Sequence, residues 1–354
     1  MNLLRGWKRW LLVLAALHGI VACAGFFAPY GPAEQDRERP YLPPMKIHLV
    51  DAQGHFHFRP FFYPEHLRDG SFDQFEESID QAIPLRFFVT GARYRVLGLM
   101  PCRIHLFGTQ TSRIYILGSD AYGRDQFSRI LYGGQISLLA GLLGAGLTLF
   151  LGAIIGATAG YFGGWRDGFL MRVAELFVAL PWLYLLFALR AFLPLAVGPV
   201  QAFFLIILVI GAVGWARPAR LVRGVVLSAK ERDFVRAARG FGATDGYLLR
   251  RHILPETSSV ILTQAAILVP QFVLAEMTLS FLGLGVPEPV PTWGNLLASL
   301  QQYSVLVSYW WMYVPALAMV PFFLGYLGLA SALQQDAGTE KMERQVPGAD
   351  GENA

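Results

Sequence analysis

Five apolar runs, at residues 135–161, 169–193, 200–216, 258–284 and 308–333, fill most of the second half of this 354-residue chain. A helix needs roughly 20 residues to cross the hydrocarbon core of a bilayer, and inside lipid a lone segment satisfies its own backbone hydrogen bonds only as a helix. A sixth run, residues 10–27, follows Arg5, Lys8 and Arg9, and cations before a span favour a cytoplasmic N-terminus. Hydrophobic residues make up 54% of the chain and charged residues 15%, too apolar for a soluble protein of this length. The net charge of +4 is spread along the sequence, so it carries topology information and not a nucleic-acid footprint. Six spans with both termini cytoplasmic satisfy every loop.

Cys23 lies in an apolar run and Cys102 in a polar region, so no disulfide framework is expected. The N-terminus resembles a bacterial lipoprotein signal ending at Cys23, but its apolar run continues through Phe27 to a spanning length, so Cys23 is expected to stay intact.

Residues 1–30 are thus a tail and first span, and residues 31–117 change character, gathering prolines, charges and five of the seven histidines. This is expected to be a β-rich extracytoplasmic insert between spans one and two. Residues 45–51 and 55–63 flank Ala52-Gln53-Gly54, and residues 85–90 and 94–97 flank Gly91-Ala92, so both predict hairpins. The acidic stretch 64–82 between them predicts one short helix. His55 and His57 share a strand face near His48 and His66 in sequence, but without Cys or carboxylate at ligand spacing no metal site is expected.

The core follows at residues 118–334. In LGSDAYGRDQFSR, residues 117–129, Asp120, Arg124, Asp125 and Arg129 predict a charge network fixing a re-entry helix at the outer membrane face. Thr148, Gly152, Gly156 and Gly160 recur every four residues, a small-residue stripe that admits another helix closely. The loop 285–307 has no Lys or Arg and belongs outside; Trp310, Trp311 and Tyr313 form an interfacial belt, and Pro315 and Pro321 predict kinks in the last span. Residues 335–354 read as a disordered cytoplasmic tail.

One polar island interrupts the apolar half. Residues 227–255, with flanks holding Arg217, Arg220, Arg223, Lys230, Arg232, Arg236, Arg239, Arg250 and Arg251, are cytoplasmic by the positive-inside rule. Phe234, Ala237, Ala238 and Phe241 recur at helical spacing on one face, expected to dock against something. Gly242 breaks this helix, Thr244 caps a second short one, and Pro255 is expected to close the segment.

No phosphate-binding loop, zinc-protease, nucleophile-elbow or dinucleotide signature is present in the sequence. Glu175, Arg190 and Glu276 fall within spans, each costing about 2.5–3.5 kcal/mol near the bilayer centre unless partnered or facing a wet cavity. Arg190 and Glu276 fall in the outer half of their spans, where they either pair and line the mouth of a pathway or serve as helix–helix glue; Glu175 lies toward the cytoplasm.

Arg236-Ala237-Ala238, Gly242 and Leu254-Pro255, before the penultimate span, closely resemble the EAA loop of ABC importer permeases. GSDAYGRDQFSR at 118–129, ARLVRG at 219–224, RHILP at 251–255, LSFLGLG at 279–285 and PTWG at 291–294 are similar to the C-type permease subunit of dipeptide and oligopeptide ABC transporters. The sequence departs from that pattern at Arg236, where the motif has Glu, at His252, where it has Ile, and in its long insert. The resemblance implies a bacterial inner-membrane importer subunit for peptides or similar small solutes. Phe234, Arg236, Ala237, Ala238, Phe241, Gly242, Leu254 and Pro255 would couple it to the ATPase. It implies two cytoplasmic ATPase subunits that carry the ATP and Mg, a second homologous permease and an outer solute-binding protein, with no catalytic residue or cofactor in this chain. An export or lipid-handling permease, or a membrane-anchored scaffold acting through its outer domain, are the alternatives.

Overall fold

The computed structural model describes residues 6–68, 75–96, 98–109, 111–192, 194 and 197–345, the last nine of these for their backbone alone. The fold is mostly helical. Its N-terminal helix α1 (Gly6–Ala22) continues after a break at Cys23 into a single turn, α2 (Ala24–Phe27). Cys23 and Cys102 are both free thiols.

All seven strands among the described residues follow next: β1 (His48–Val50), β2 (Phe56–Phe62), β3 (Glu65–Leu67), β4 (Phe75–Glu77), β5 (Ile83–Pro84), β6 (Arg86–Val96) and β7 (Met100–Gly108). They form three small antiparallel sheets, β1-β2-β5, β3-β4 and β6-β7. Two local expectations fail here. The stretch 64–82 holds the β3–β4 pair and no helix among its described residues, because Glu65, His66 and Leu67 find partners in Glu77, Glu76 and Phe75. Gly91-Ala92 is not a turn: β6 runs through it, and the reversal comes at Gly98 and Leu99. Gly98 has the positive φ (74°) of a turn glycine, whereas Gly91 is small because the His105 ring lies 2.7 Å from where its Cβ would stand.

Helix α3 (Gln126–Phe162) is the axis of the molecule. Around it lie α4 (Gly164–Ala179), α5 (Trp182–Phe192), α6 (Pro199–Gly214), α7 (Ala216–Lys230), α8 (Asp233–Gly240), α9 (Asp245–Leu248), α10 (Ser258–Phe281), α11 (Trp293–Ala298), α12 (Tyr303–Ser308) and α13 (Val314–Gln345). Among the described residues three helical stretches, Gln126–Phe162, Asp245–Phe281 and Trp310–Asp336, are long and apolar enough to cross a membrane. Two bent pairs, α4 with α5 (95°) and α6 with α7 (47°), raise this to as many as five.

Proline explains one departure from the expected spans and qualifies another. The apolar run 169–193 is not one straight helix: Leu180, held extended (ψ 140°) before Pro181, ends α4 as the residue before a proline must when it is pushed out of the helical region. Pro255, by contrast, closes nothing. A π-helical turn (Leu249–Ile253) widens the backbone, and Pro255 then opens a short 3-10 turn (Leu254–Thr257) that leads straight into α10. A missing N–H is harmless at the first position of a helical segment. Helix α13 runs to Gln345, past residue 335 where the tail was expected to begin, while residues 346–354 lie outside the described residues.

The small-residue stripe of α3 seats α7. A Cβ on Gly152 would lie 2.7 Å from Pro218, one on Gly156 2.3 Å from the Ala219 carbonyl oxygen, and one on Gly160 2.9 Å from that of Arg223. On another side of α3, Trp293 is buried against Gly134 and donates from its indole N–H to the Ile130 carbonyl. Helix α1 lies antiparallel to α13: Trp10 fits over Gly328, Leu14 over Gly325, and His18 meets the Phe322 ring at 5.6 Å.

Candidate functional site

At the far end of α3 from the strands, residues 227–255 fold into a compact knob. Ala229, Val235, Leu248 and Ile253 are its fully buried residues, packed with Tyr161 of α3 and with Val222 and Val226 of α7. Periodicity alone did not single out Val235. Of the four residues on the expected face, Ala238 is partly buried, Ala237 is exposed, and Phe234 (43% exposed) and Phe241 (93%) point outward. Gly242 turns the chain with φ 86°, and the Thr244 hydroxyl accepts from the Tyr247 N–H to cap α9. His252, at the position where the motif has Ile, sits between the rings of Phe234 and Tyr247.

Polar ties fix the knob to α3. Arg239 donates to the Tyr161 hydroxyl at 3.0 Å, that hydroxyl donates to Asp245, and Lys230 donates to the Gly160 carbonyl. Arg232 pairs with Glu256 across the knob, while Arg236 pairs with Glu231 at 2.7 Å on the open surface. Leu254 is partly buried against the cluster and Pro255 is exposed. The result is a rigid base that presents Phe241, Tyr247 and Thr244 around an open hollow. Ala238, Gly242, Ala243 and His252 complete the lining of that hollow.

The opposite end holds the charge network. Arg124 donates from Nε to Asp120 at 2.6 Å and Arg129 approaches the same carboxylate at 3.5 Å. Both arginines also donate to Glu288 at 2.8 Å, one to each of its oxygens. Glu288, in the loop before α11, was not singled out from sequence; the signal was its standing as a lone acid in a loop without Lys or Arg. Asp125 joins no ion pair among the described residues. It caps α3 by accepting from the Ser128 N–H and hydroxyl, and burial raises its carboxyl to about 6.

Arg190 and Glu276 do not pair. Arg190 is 1% exposed and donates to the Leu284 and Pro194 carbonyls, which lie at helix ends. Glu276, fully buried, accepts from the Ser280 hydroxyl at 2.6 Å, with Ser137 and Thr292 beside it. Arg190 is served by these carbonyls, whereas Glu276 has one oxygen on Ser280 and the other, Oε2, buried without a hydrogen-bond partner among the described residues. Glu175 is exposed on α4 and makes no ion pair among the described residues. His55 and His57 both bond Asp51, His48 faces Glu77, and no cluster of three metal-ligating side chains occurs among the described residues.

The model of the binding-protein-dependent transport system inner membrane component family matches residues 150–338, more than half of the chain. The chain belongs to that family. As a permease it is 36% identical over 228 residues to the dipeptide transport system permease protein of Bacillus subtilis, covering 64% of this chain and 69% of that one. It is 37% identical over 216 residues to the oligopeptide transport system permease protein of Haemophilus influenzae, covering 60% and 67%. A solved methionine ABC transporter in inward-facing conformations overlaps 61% of this chain and 95% of that one at 17% identity and TM-score 0.45, too distant to carry an argument. The family match contains the whole knob, whereas the strands and the arginines of the charge network precede it.

Proposed function

We propose that this permease is one of two homologous transmembrane subunits of an ATP-driven importer for peptides or similar small solutes. It crosses the inner membrane six times, with α1 as the first span, both termini cytoplasmic and the strands of the insert outside. Its knob, residues 227–255, seats in a groove of a cytoplasmic ATPase subunit and transmits nucleotide-driven closure to the spans. ATP and Mg are held by two such subunits and not by this chain, and a solute-binding protein delivers cargo from outside. The peptide relatives support the cargo class.

The observation that carries the coupling reading is Phe241: a large apolar side chain left 93% exposed on a base that caps and ion pairs hold rigid. An exposed aromatic on a preorganised support is the usual anchor of a protein interface. Phe241→Asp in the assembled transporter should reduce co-purified ATPase subunit at least about tenfold, the loss of one anchor of roughly 2 kcal/mol or more, and abolish peptide uptake while membrane insertion stays normal. Full ATPase recovery and uptake from that variant would refute the coupling role.

A further inference from the structure

We propose that the β6–β7 hairpin is a membrane anchor whose apolar tip lies at the headgroup–acyl boundary of the outer leaflet beside the first span. The proposal rests on the outward placement of the insert given above.

The hairpin is seated on the outer end of that span. His105 lies with Nδ1 2.6 Å from the Ala28 carbonyl oxygen, and nearer the turn the Tyr94 ring occupies the space over Gly25, 2.2 Å from where a Cβ would stand. The register pairs Val89 with His105 and Tyr94 with Cys102, so moving toward the turn is moving from Ala28 back toward α1. Because α1 is antiparallel to α13, with Trp10, Leu14 and His18 meeting Gly328, Gly325 and Phe322, the outer end of α1 approaches the start of α13. Extending that alignment brings α2 level with the Trp310–Tyr313 turn, whose Trp310 is 64% exposed, in the manner of an interfacial belt. Beyond Tyr94, β6 runs on to Val96, which pairs with Met100, and at about 3.3 Å per residue that is a further advance of roughly 7 Å. The hairpin therefore points from the level of Trp310 toward the headgroup–acyl boundary, about 5–10 Å deep.

Its composition fits that medium and not water. A turn in water is built from small polar residues, yet Gly98 is followed by Leu99 (79% exposed) and Met100 (67%). Behind this tip stand exposed Arg93, Arg95 and Arg103, cations placed to reach lipid phosphates while their stems lie along apolar surface. Phe88, in left-handed backbone (φ 53°), turns a largely exposed ring toward Phe26 of α2. A two-stranded ribbon is marginally stable in water, and this one pairs with no third strand among the described residues. Its base is held by α2 and by the buried His105 and Phe107, and lipid covers the tip that these leave bare.

The test uses the full chain with Cys23→Ser and Cys102→Ser, spin-labelled at Met100→Cys or, in the β1–β2 turn, at Gln53→Cys, in phospholipid nanodiscs. The label at position 100 should collide with a water-soluble nickel complex about fivefold less than the label at 53, and collide readily with oxygen. Equal nickel access at the two positions overturns the anchor, as does shielding that arises only when a second permease or a solute-binding protein is added. Labelling of Gln53→Cys with a membrane-impermeant maleimide on intact spheroplasts checks sidedness separately: reaction only after lysis overturns the outward placement and the outer-leaflet assignment together. Where the cysteine-free background fails to fold, Leu99→Trp with both native cysteines should show emission quenched by brominated phospholipid beyond that of the wild type, and no added quenching overturns the proposal.

Discussion

Glu288 shows how one residue decides the fate of others. Arg129 and Arg124 have side chains 1% and 7% exposed, and a guanidinium so placed is costly without a counter-charge. Asp120 reaches both, but Glu288 gives each its own carboxylate oxygen, tying the entry of α3 to the loop before α11. Glu65 is a second such residue. It is 8% exposed on β3, directly across from Glu77, and burial first, then the charge of Glu77, push its carboxyl up to about 7 against partial relief from Lys46 and Arg39. A carboxyl whose folded value is raised binds its proton more tightly in the native state. Its contribution is complete below the ordinary value near 4.5 and is lost as pH rises through about 7. Glu65→Gln should therefore flatten the fall in thermal stability of the full chain between pH 4.5 and 7, read from melting curves in detergent at half-unit steps. An unchanged slope would contradict this account.

At the scale of elements, the contact between α3 and α7 is made by the absence of side chains. Gly156 has the Ala219 carbonyl oxygen where its Cβ would go, while Gly146 on the same helix meets nothing within 4 Å. Gly156→Ala should cost about 1–3 kcal/mol by overpacking, and more where the backbone cannot shift. Gly146→Ala should be neutral or stabilise by up to about 1 kcal/mol through helix propensity. Thermal denaturation of the two variants side by side compares the same chemical change in two surroundings, and equal effects would remove the packing explanation. Prolines show the same dependence on setting: Pro181 breaks a span after Leu180, Pro255 opens a helical turn, and Pro270 and Pro321 lie inside α10 and α13.

At the scale of the whole molecule, α3 joins the two ends. Its 37 residues cover about 55 Å at 1.5 Å per residue, with the arginines that hold Glu288 at its start and Tyr161, which holds Arg239 of the knob, at its end. Sites this far apart share no partners. Phe241→Asp and Glu288→Gln, melted singly and together, should therefore add in stability within about 0.5 kcal/mol. A larger interaction term would mean that packing along α3 transmits strain in the resting state.

The sequence by itself determined that this chain lies in a membrane, where its polar knob falls, that Gly242 turns it and Thr244 caps it, because length, charge and local backbone preference are written in consecutive residues. It also located Arg124 and Arg129 of the charge network and the glycine stripe. Only the tertiary structure decided what these meet: Glu288 lies 159 residues from Arg129, and α7 was legible as a basic flank but not as the helix that fills the stripe. Arg190 and Glu276 look like partners on charge alone, yet Arg190 donates to the Leu284 and Pro194 carbonyls and Glu276 accepts from Ser280 one turn along its own helix. In the strands the Gly91-Ala92 turn was misplaced because a glycine that makes room for His105 looks the same in sequence as one that turns the chain. A residue's own conformational preference is local, but which atoms surround it is settled by chain segments far away, and only folding brings those together.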